Sequence, residues 1–247
     1  MTPAADALRA VAVSAAQAGA DICLRRAGTP LAAQTKSAAG DVVTAVDREA
    51  EAAVRAVLTA ARPGDAIVGE ELAPWAGTSG FEWVVDPLDG TTNYTRRIPF
   101  FGTSVAVRSL SDGAWLAGAV CAPALATTWS AAAGHGARAA TGGAITDLPL
   151  DLPSTSARLI GTGLSYDPGR RRRQVRELGA LLTDYTDMRR LGAAALDLCL
   201  VAQGSLDAFV EDDLAVHDWA AGALIAQEAG AHVARPGAGS EAVSAHW

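Results

Sequence analysis

Trp83-Val84-Val85-Asp86-Pro87-Leu88-Asp89-Gly90-Thr91-Thr92-Asn93 is the stretch on which the fold turns. Three apolar residues build a buried strand, and Asp86 stands at its end. Pro87 stiffens the turn that follows, and Asp89 comes three residues after Asp86. Two carboxylates on a rigid strand end can share hard divalent cations through oxygen. Gly90-Thr91-Thr92 lets the backbone approach a ligand closely. A helix starting there would turn its unpaired N–H groups toward phosphate oxygens. Read alone, the same residues also make an ordinary surface turn with a helix cap.

Working upstream, Ala66-Ile67-Val68 is a short strand closed by Gly69-Glu70-Glu71, a second acidic strand end. Its nearness to the first raises the expectation of a common metal site. Residues 46–61 form a helix with Val46, Ala50, Ala53, Val54, Val57 and Leu58 on one side, ended by Pro63-Gly64. Before it lies Lys36-Ser-Ala-Ala-Gly-Asp41-Val-Val-Thr44-Ala-Val-Asp47, locally a solvated loop leading into the helix. Lys36 is the sole lysine among twenty basic residues. Residues 6–26 read as an amphipathic helix with Leu8, Val11, Ala15, Ala18 and Ile22 at helical spacing.

Downstream, residues 102–107, 114–120 and 126–132 read as successive strands, with Ser111-Asp112-Gly113 a turn between the first two. Strands at 159–161 and 207–210 and helices at 170–182, 193–202 and 219–229 follow. The tail from Arg235 reads as loose. His217-Asp218-Trp219-Ala220-Ala221-Gly222 puts Asp218 at the start of a helix. Its local role is an N-cap, and a capping Asp can still present its other oxygen to a metal. Strands mixed with helices point to α+β or layered α/β.

The chain has 247 residues, 50% of them hydrophobic, which is enough to bury a substantial core. A net charge of −7 disfavours broad nucleic-acid or membrane-surface binding. Cys23, Cys121 and Cys199 lack zinc-ligand spacing, and three are too few for a disulfide framework. They are expected to be buried, reduced thiols in a cytoplasmic protein. None has an Arg six residues on, so no Cys-x5-Arg phosphatase loop is present. Charges within the N-terminal apolar stretch (Asp6, Arg9, Asp21) argue against a signal peptide or a membrane span.

The ordered motifs together resemble the inositol monophosphatase family. Its pattern is a Lys followed by Asp-x-Val-Thr-x-x-Asp, then Gly-Glu-Glu, then Asp-Pro-Leu/Ile-Asp-Gly-Thr-Thr-Asn, then a Trp-Asp-x-Ala-Ala-Gly-type element near the C-terminus. Arg189-Arg190-Leu-Gly-Ala-Ala-Ala-Leu-Asp-Leu-Cys199 also resembles the segment that precedes the family's substrate loop. The resemblance covers roughly residues 5–234. It implies a layered αβαβα sandwich of the inositol monophosphatase and fructose-1,6-bisphosphatase type. Residues 1–135 would be a metal-binding half and 136–247 a substrate-facing half of one catalytic unit.

By the same resemblance, two or three Mg²⁺ ions would be held by Glu70, Asp86, the carbonyl of Leu88, Asp89 and Asp218. Gly90 and Thr91 would take phosphate on backbone N–H groups. Glu70 would place the attacking water, Thr91 with Asp47 would orient or deprotonate it, and Lys36 would lie near the phosphate or metal. Ala193 and Glu211, with Asp89 and Asp218, would face the substrate. Arg170 to Arg173 read as a basic rim or, more simply, a solvated helix start.

The implied activity is Mg²⁺-dependent hydrolysis of a small phosphate monoester by direct attack of water, with inositol monophosphate the leading substrate and a homodimer the expected assembly. Histidinol phosphate is the alternative on the same fold. A non-catalytic binder of phosphorylated metabolites is the alternative of another class. Two departures stand out. His217 occupies a place where the family often has Trp or another bulky residue, and only residues 231–247 follow Gly230, where the family usually adds a strand and a helix.

Overall fold

The computed structural model describes residues 5–28, 34–35, 42–43, 45–153, 155–237 and 241–247. Lys36, Asp41 and Thr44 lie outside the described residues.

Helices α1 (Ala5–Arg26) and α2 (Ala45–Ala61) pack on each other and on one face of a seven-stranded sheet. A small antiparallel pair, β1 (Gln34–Thr35) and β2 (Val42–Val43), lies between them in sequence. The large sheet contains β3 (Ala66–Gly69), β4 (Phe81–Asp89), β5 (Gly102–Ser109), β6 (Trp115–Ala122), β7 (Thr127–Ala132), β8 (Ala137–Thr141) and β9 (Ala144–Asp147), in that order. Only the β3–β4 pairing is parallel. A short helix, α3 (Thr91–Thr95), leaves the end of β4.

The second sheet is built from β10 (Leu159–Thr162), β11 (Asp187–Arg189), β12 (Ala208–Asp212), β13 (His232–Ala234) and β14 (Ala242–His246), in the order β11-β10-β12-β14-β13. Helices α5 (Ala194–Ala202) and α6 (Val216–Ala229) fill the space between the sheets. α4 (Pro168–Asp184) connects β10 to β11 outside them. The layers are therefore αβαβα, as the motif resemblance implies.

The inner pair is apolar almost all round. α5 buries Ala194, Ala195, Leu196, Leu198, Cys199, Val201 and Ala202, and α6 buries Trp219 through Ala226. A helix with two buried sides needs that composition. α5 and α6 meet at Gly222, where an added Cβ would stand 2.8 Å from Leu198 Cβ and 2.9 Å from the Ala195 carbonyl oxygen. Gly222→Ala is expected to destabilise the fold by about 1–3 kcal/mol through overpacking. A thermal melt several degrees lower would show it.

On the outer side, α1 buries Leu8, Ala12, Ala15, Ala16, Gly19, Ala20 and Cys23. The buried stripe is rotated from the expected one, for Val11, Ala18 and Ile22 are only half-buried. Small residues decide this, because they let α1 approach closely. A Cβ on Gly19 would meet Thr103 and Val54 at 2.8 Å. By length and apolarity α1 also satisfies the criterion for a membrane-spanning helix. Its small-residue face is packed on α2 and β6 here.

Several elements differ from the sequence reading. The strand expected at 83–85 continues to Asp89. The tail expected to be loose contributes β14, which pairs with β12 from Ala208↔His246 to Asp212↔Ala242 and with β13. Val243 and Ala245 alternate into the core there. A Gly- and Ser-rich lead-in hid that two-residue period. β8, β9 and β11 carry too few apolar residues to announce themselves, and every residue of β9 is exposed. They form by pairing with a neighbour already in place.

Candidate active site

Asp86 and Asp89 are three residues apart, so on a regular strand they would face opposite sides. Both line one cavity of about 700 Å³. The strand achieves this with a bulge: the β4–β5 register shifts between Asp86↔Ser104 and Asp89↔Gly102. Pro87 sits inside the bulge, where its missing N–H costs no ladder bond. The Pro87 carbonyl accepts from Thr103 Oγ1 at 2.8 Å, and the Leu88 N–H donates to Asp86 Oδ1 at 3.0 Å. The expected turn is therefore an irregularity within a paired strand, held from both sides.

Asp89 is also tied across the fold. The Ala195 N–H at the start of α5 donates to its Oδ2 at 2.9 Å. Gly90, at φ 86°, then turns the chain into α3. Thr91 Oγ1 lies 2.9 Å from the Leu88 carbonyl oxygen and 3.1 Å from Asp47 Oδ1. Asp47 is fully buried in the first turn of α2.

Two further carboxylates complete the acidic end of the cavity. Glu70 follows β3, and its N–H donates to the Val85 carbonyl at 3.2 Å. Asp218 is the third residue of α6, and its Oδ2 accepts from the Ala215 N–H at 2.6 Å. It reaches back from inside the helix rather than capping it from Ncap. His217 stands beside it, with Nε2 3.6 Å from Asp218 Oδ1 and 3.9 Å from Glu70 Oε2.

Burial, then repulsion from Glu70, Asp89 and Asp218, raises the Asp86 carboxyl well above its ordinary range. Burial and Asp218 do the same to Asp89, against the pull of the Ala195 and Leu196 amides. Two buried carboxylates that resist ionising beside two more are a donor set that needs cationic company. Among the described residues, no three such groups close into a ready-made coordination shell.

Glu211 also lines the cavity, and burial pushes it up to about 8, with Asp218 and Asp212 adding to the rise against the opposing pull of Arg190. Gly163, next after the neighbouring strand β10, makes room for it, since a Cβ there would meet the Glu211 carboxylate at 2.0 Å. Ala193 lines the same space. Tyr166 crosses the mouth, its hydroxyl 2.9 Å from Thr92 Oγ1. Of the four arginines read as a rim, Arg170 pairs with Asp213 and Arg173 with Asp212, and only Arg170 lines the cavity.

The chain's likeness to known proteins agrees with this geometry. The model of the inositol monophosphatase family matches residues 4–246. The chain belongs to that family. It is 42% identical over 245 residues to the inositol-1-monophosphatase of Mycobacterium leprae, covering 93% of this chain and 84% of that one. A histidinol-phosphatase of Mycobacterium tuberculosis is 39% identical over 191 residues, covering 76% of this chain and 72% of its own. The crystal structure of the extragenic suppressor protein suhB from Bartonella henselae superposes with a TM-score of 0.85 at 33% identity, covering 97% of this chain and 93% of that one. The protein is thus a phosphoric monoester hydrolase, and the non-catalytic alternative falls away.

Within this inositol monophosphatase family member, the structure adds residues that the motifs did not mark. Glu51 of α2 is fully buried, and its carboxylate accepts from the Glu71 N–H at 2.7 Å and the Leu72 N–H at 3.3 Å. Arg55 binds Glu51 and reaches the carbonyls of Leu72 and Ala73. The pair holds the loop that carries Glu70. In sequence it looks like any i,i+4 surface pair, and only its burial distinguishes it.

Asp197 in α5 is the second addition. It is buried, and its Oδ1 has no hydrogen-bond partner. Burial, then Asp89 and Glu211, push it up to about 9. A carboxyl whose folded pKa lies above its unfolded value contributes full stability below the unfolded pKa. That contribution is lost as pH rises through the folded one. For Asp197 the window runs from about 4 to about 9. Asp197→Asn is expected to flatten the metal-free melting curve across that window, with a gain of about 1–2 kcal/mol near its upper end. Melting temperatures at pH 5 and 8.5 check this, and equal pH slopes for the two proteins would refute it.

The three cysteines are free and buried. Burial raises the thiols of Cys23, Cys121 and Cys199, so none is a ready nucleophile.

Proposed function

We propose that this phosphatase uses Mg²⁺ to hydrolyse a small phosphate monoester by direct attack of water, with an inositol monophosphate as its substrate. The observation that carries the reading is the convergence of Glu70, Asp86, Asp89 and Asp218 on one cavity, close enough for the other three to repel the charge of Asp86. Unaided, that cluster would repel a phosphate dianion, so a divalent cation must stand between them. Glu70, Asp86, Asp89, Asp218 and the Leu88 carbonyl would hold two or three such ions. Bound there, Mg²⁺ supplies positive charge against the phosphate and makes water more acidic.

The chain's own groups do the rest. The Gly90 and Thr91 N–H groups, at the head of α3, orient the phosphate oxygens. The Thr91 hydroxyl can donate to Asp47, which turns its lone pairs toward water at the acidic end. Asp47 is then the acceptor for a proton passed through Thr91. Lys36 keeps the role implied by resemblance, near the phosphate. Glu211 and the small Ala193 face the leaving group, and Tyr166 covers the mouth. A polyol hydroxyl is a natural donor to Glu211, and the 42% identical relative carries the corresponding name.

Histidinol phosphate is the second reading. The histidinol-phosphatase relative supports it, as does Glu211, which would accept equally well from an ammonium or imidazolium. The reading extends to a cytoplasmic homodimer, the free buried thiols according with a reducing compartment.

Phosphate release from inositol 1-phosphate, histidinol phosphate, phosphoadenosine phosphate and fructose 1,6-bisphosphate, with Mg²⁺ and with chelator, tests the proposal. A chelator-sensitive preference for inositol 1-phosphate supports it, and a preference for histidinol phosphate favours the second reading. Chelator-resistant turnover would defeat the metal mechanism. Glu211→Gln is expected to change the preference among esters by about tenfold with little effect on metal affinity. Equal losses on every ester would remove Glu211 from specificity.

A further inference from the structure

His217 is the feature of the cavity that the metal-dependent reading leaves unused. It is the second residue of α6, its side chain is only 18% exposed, and it lines the cavity with Glu70, Asp86 and Asp218. Its Nε2 lies 3.6 Å from Asp218 Oδ1 and 3.9 Å from Glu70 Oε2. Both separations are too long for hydrogen bonds. Donor atoms around a six-coordinate ion at ~2.1 Å stand about 3.0 Å apart when adjacent and about 4.2 Å when opposite. Neither separation equals one of these values, so the side chains are not preset as a coordination shell; the imidazole nitrogen is close enough to both carboxylates that a shift of about half an ångström would let it share an ion with either. Asp218 is oriented for this, because its other oxygen is engaged by the Ala215 N–H. The burial of Trp219, stacked edge-on to Trp115 at 5.7 Å, fixes the first turn of α6 and with it the direction of the imidazole.

We propose that His217 is a nitrogen ligand of the cation held between Glu70 and Asp218, so that this position prefers a transition-metal divalent ion such as Mn²⁺ to Mg²⁺. The proposal rests on the metal-dependent reading of the site. Its chemistry is general: carboxylates, carbonyls and water suit Mg²⁺, and an imidazole nitrogen shifts a site toward the later first-row ions. A Trp or other bulky apolar residue in this place offers no such donor, so the shift belongs to this chain's own residue.

The test is Mn²⁺ binding to the metal-stripped, tag-free protein, read by pulsed electron paramagnetic resonance. Of the four histidines, His135, His232 and His246 do not line the cavity. A directly bound imidazole nitrogen therefore reports on His217 even in the unaltered protein. The expected result is a nitrogen hyperfine coupling on bound Mn²⁺ that disappears in His217→Gln. Mn²⁺ affinity should fall by about tenfold in that variant, and Mg²⁺ affinity by less than about twofold. Mn²⁺ bound tightly without nitrogen coupling would overturn the proposal and leave the carboxylate metal site standing. No stoichiometric binding at millimolar Mn²⁺ would overturn both.

Discussion

Asp86→Asn is expected to abolish the proposed Mg²⁺-dependent phosphate release and, in the same protein, to raise the melting temperature of the metal-free fold. The two effects have one cause. Asp86 is buried among Glu70, Asp89 and Asp218, and each of these raises the cost of its charge. Asn keeps the oxygen that accepts from the Leu88 N–H and removes the charge. A charge-bearing ligand to the proposed ions is worth several kcal/mol in the transition state, so the rate should fall about a thousandfold or more. The metal-free fold loses a buried repulsion, which raises its melting temperature. The sign follows from linkage. The folded pKa is raised, so the wild-type penalty grows as pH climbs above the ordinary Asp range, and the variant escapes it. Phosphate assays and melts with and without Mg²⁺ check both halves. An inactive variant that is also less stable than wild type would mean that Asp86 holds the fold together rather than holding a cation.

Glu51→Ala is expected to do the reverse, costing stability first and function second. The change leaves the Arg55 guanidinium without its carboxylate and strips the Glu71 and Leu72 amides of their acceptor. Breaking one partner of a buried ion pair costs about 3–5 kcal/mol, against a gain of almost nothing from the smaller side chain. For a chain of this size the melting temperature should fall by roughly 6–20 °C. Because those amides flank Glu70, the loop loosens and the apparent Mg²⁺ affinity should drop by about tenfold. Saturating Mg²⁺ should then recover most of the turnover at low temperature. Glu51→Gln keeps one acceptor oxygen and should fall between the two. Gly69 belongs to the same construction, since a Cβ there would meet the Glu51 carboxylate at 2.0 Å. Glu51→Ala with unchanged melting and unchanged Mg²⁺ affinity would show that the Glu70 loop needs no such clamp.

The two variants separate what a sequence can announce from what it cannot. Asp86, Asp89 and Thr91 lie in one short string, and their residue types and spacing already limit the chemistry. Glu70 and Asp218 were legible because each follows or opens a recognisable element and because the motifs occur in family order. Family, layered fold class and reaction class were all within reach of those strings. The reason is physical: metal ligands and phosphate-binding backbone need particular side chains at particular offsets, and such requirements leave a local trace.

What only the tertiary structure decided is how those pieces are aimed. Residues three apart on a strand face one cavity because Pro87 and Leu88 form a bulge, and a bulge is visible only in the register against β5. Glu51, whose i,i+4 spacing to Arg55 carries no local sign of burial, becomes the clamp of the Glu70 loop because α2 buries it. Asp197 becomes a buried acid because α5 lies between two sheets. The residues after Arg235 look structureless until β12 and β13 offer hydrogen-bonding partners. Burial and pairing are properties of neighbours far along the chain, and no local pattern carries them. They place His217 beside Glu70 across 147 positions of sequence, which is where the ligand preference of this phosphatase can be decided.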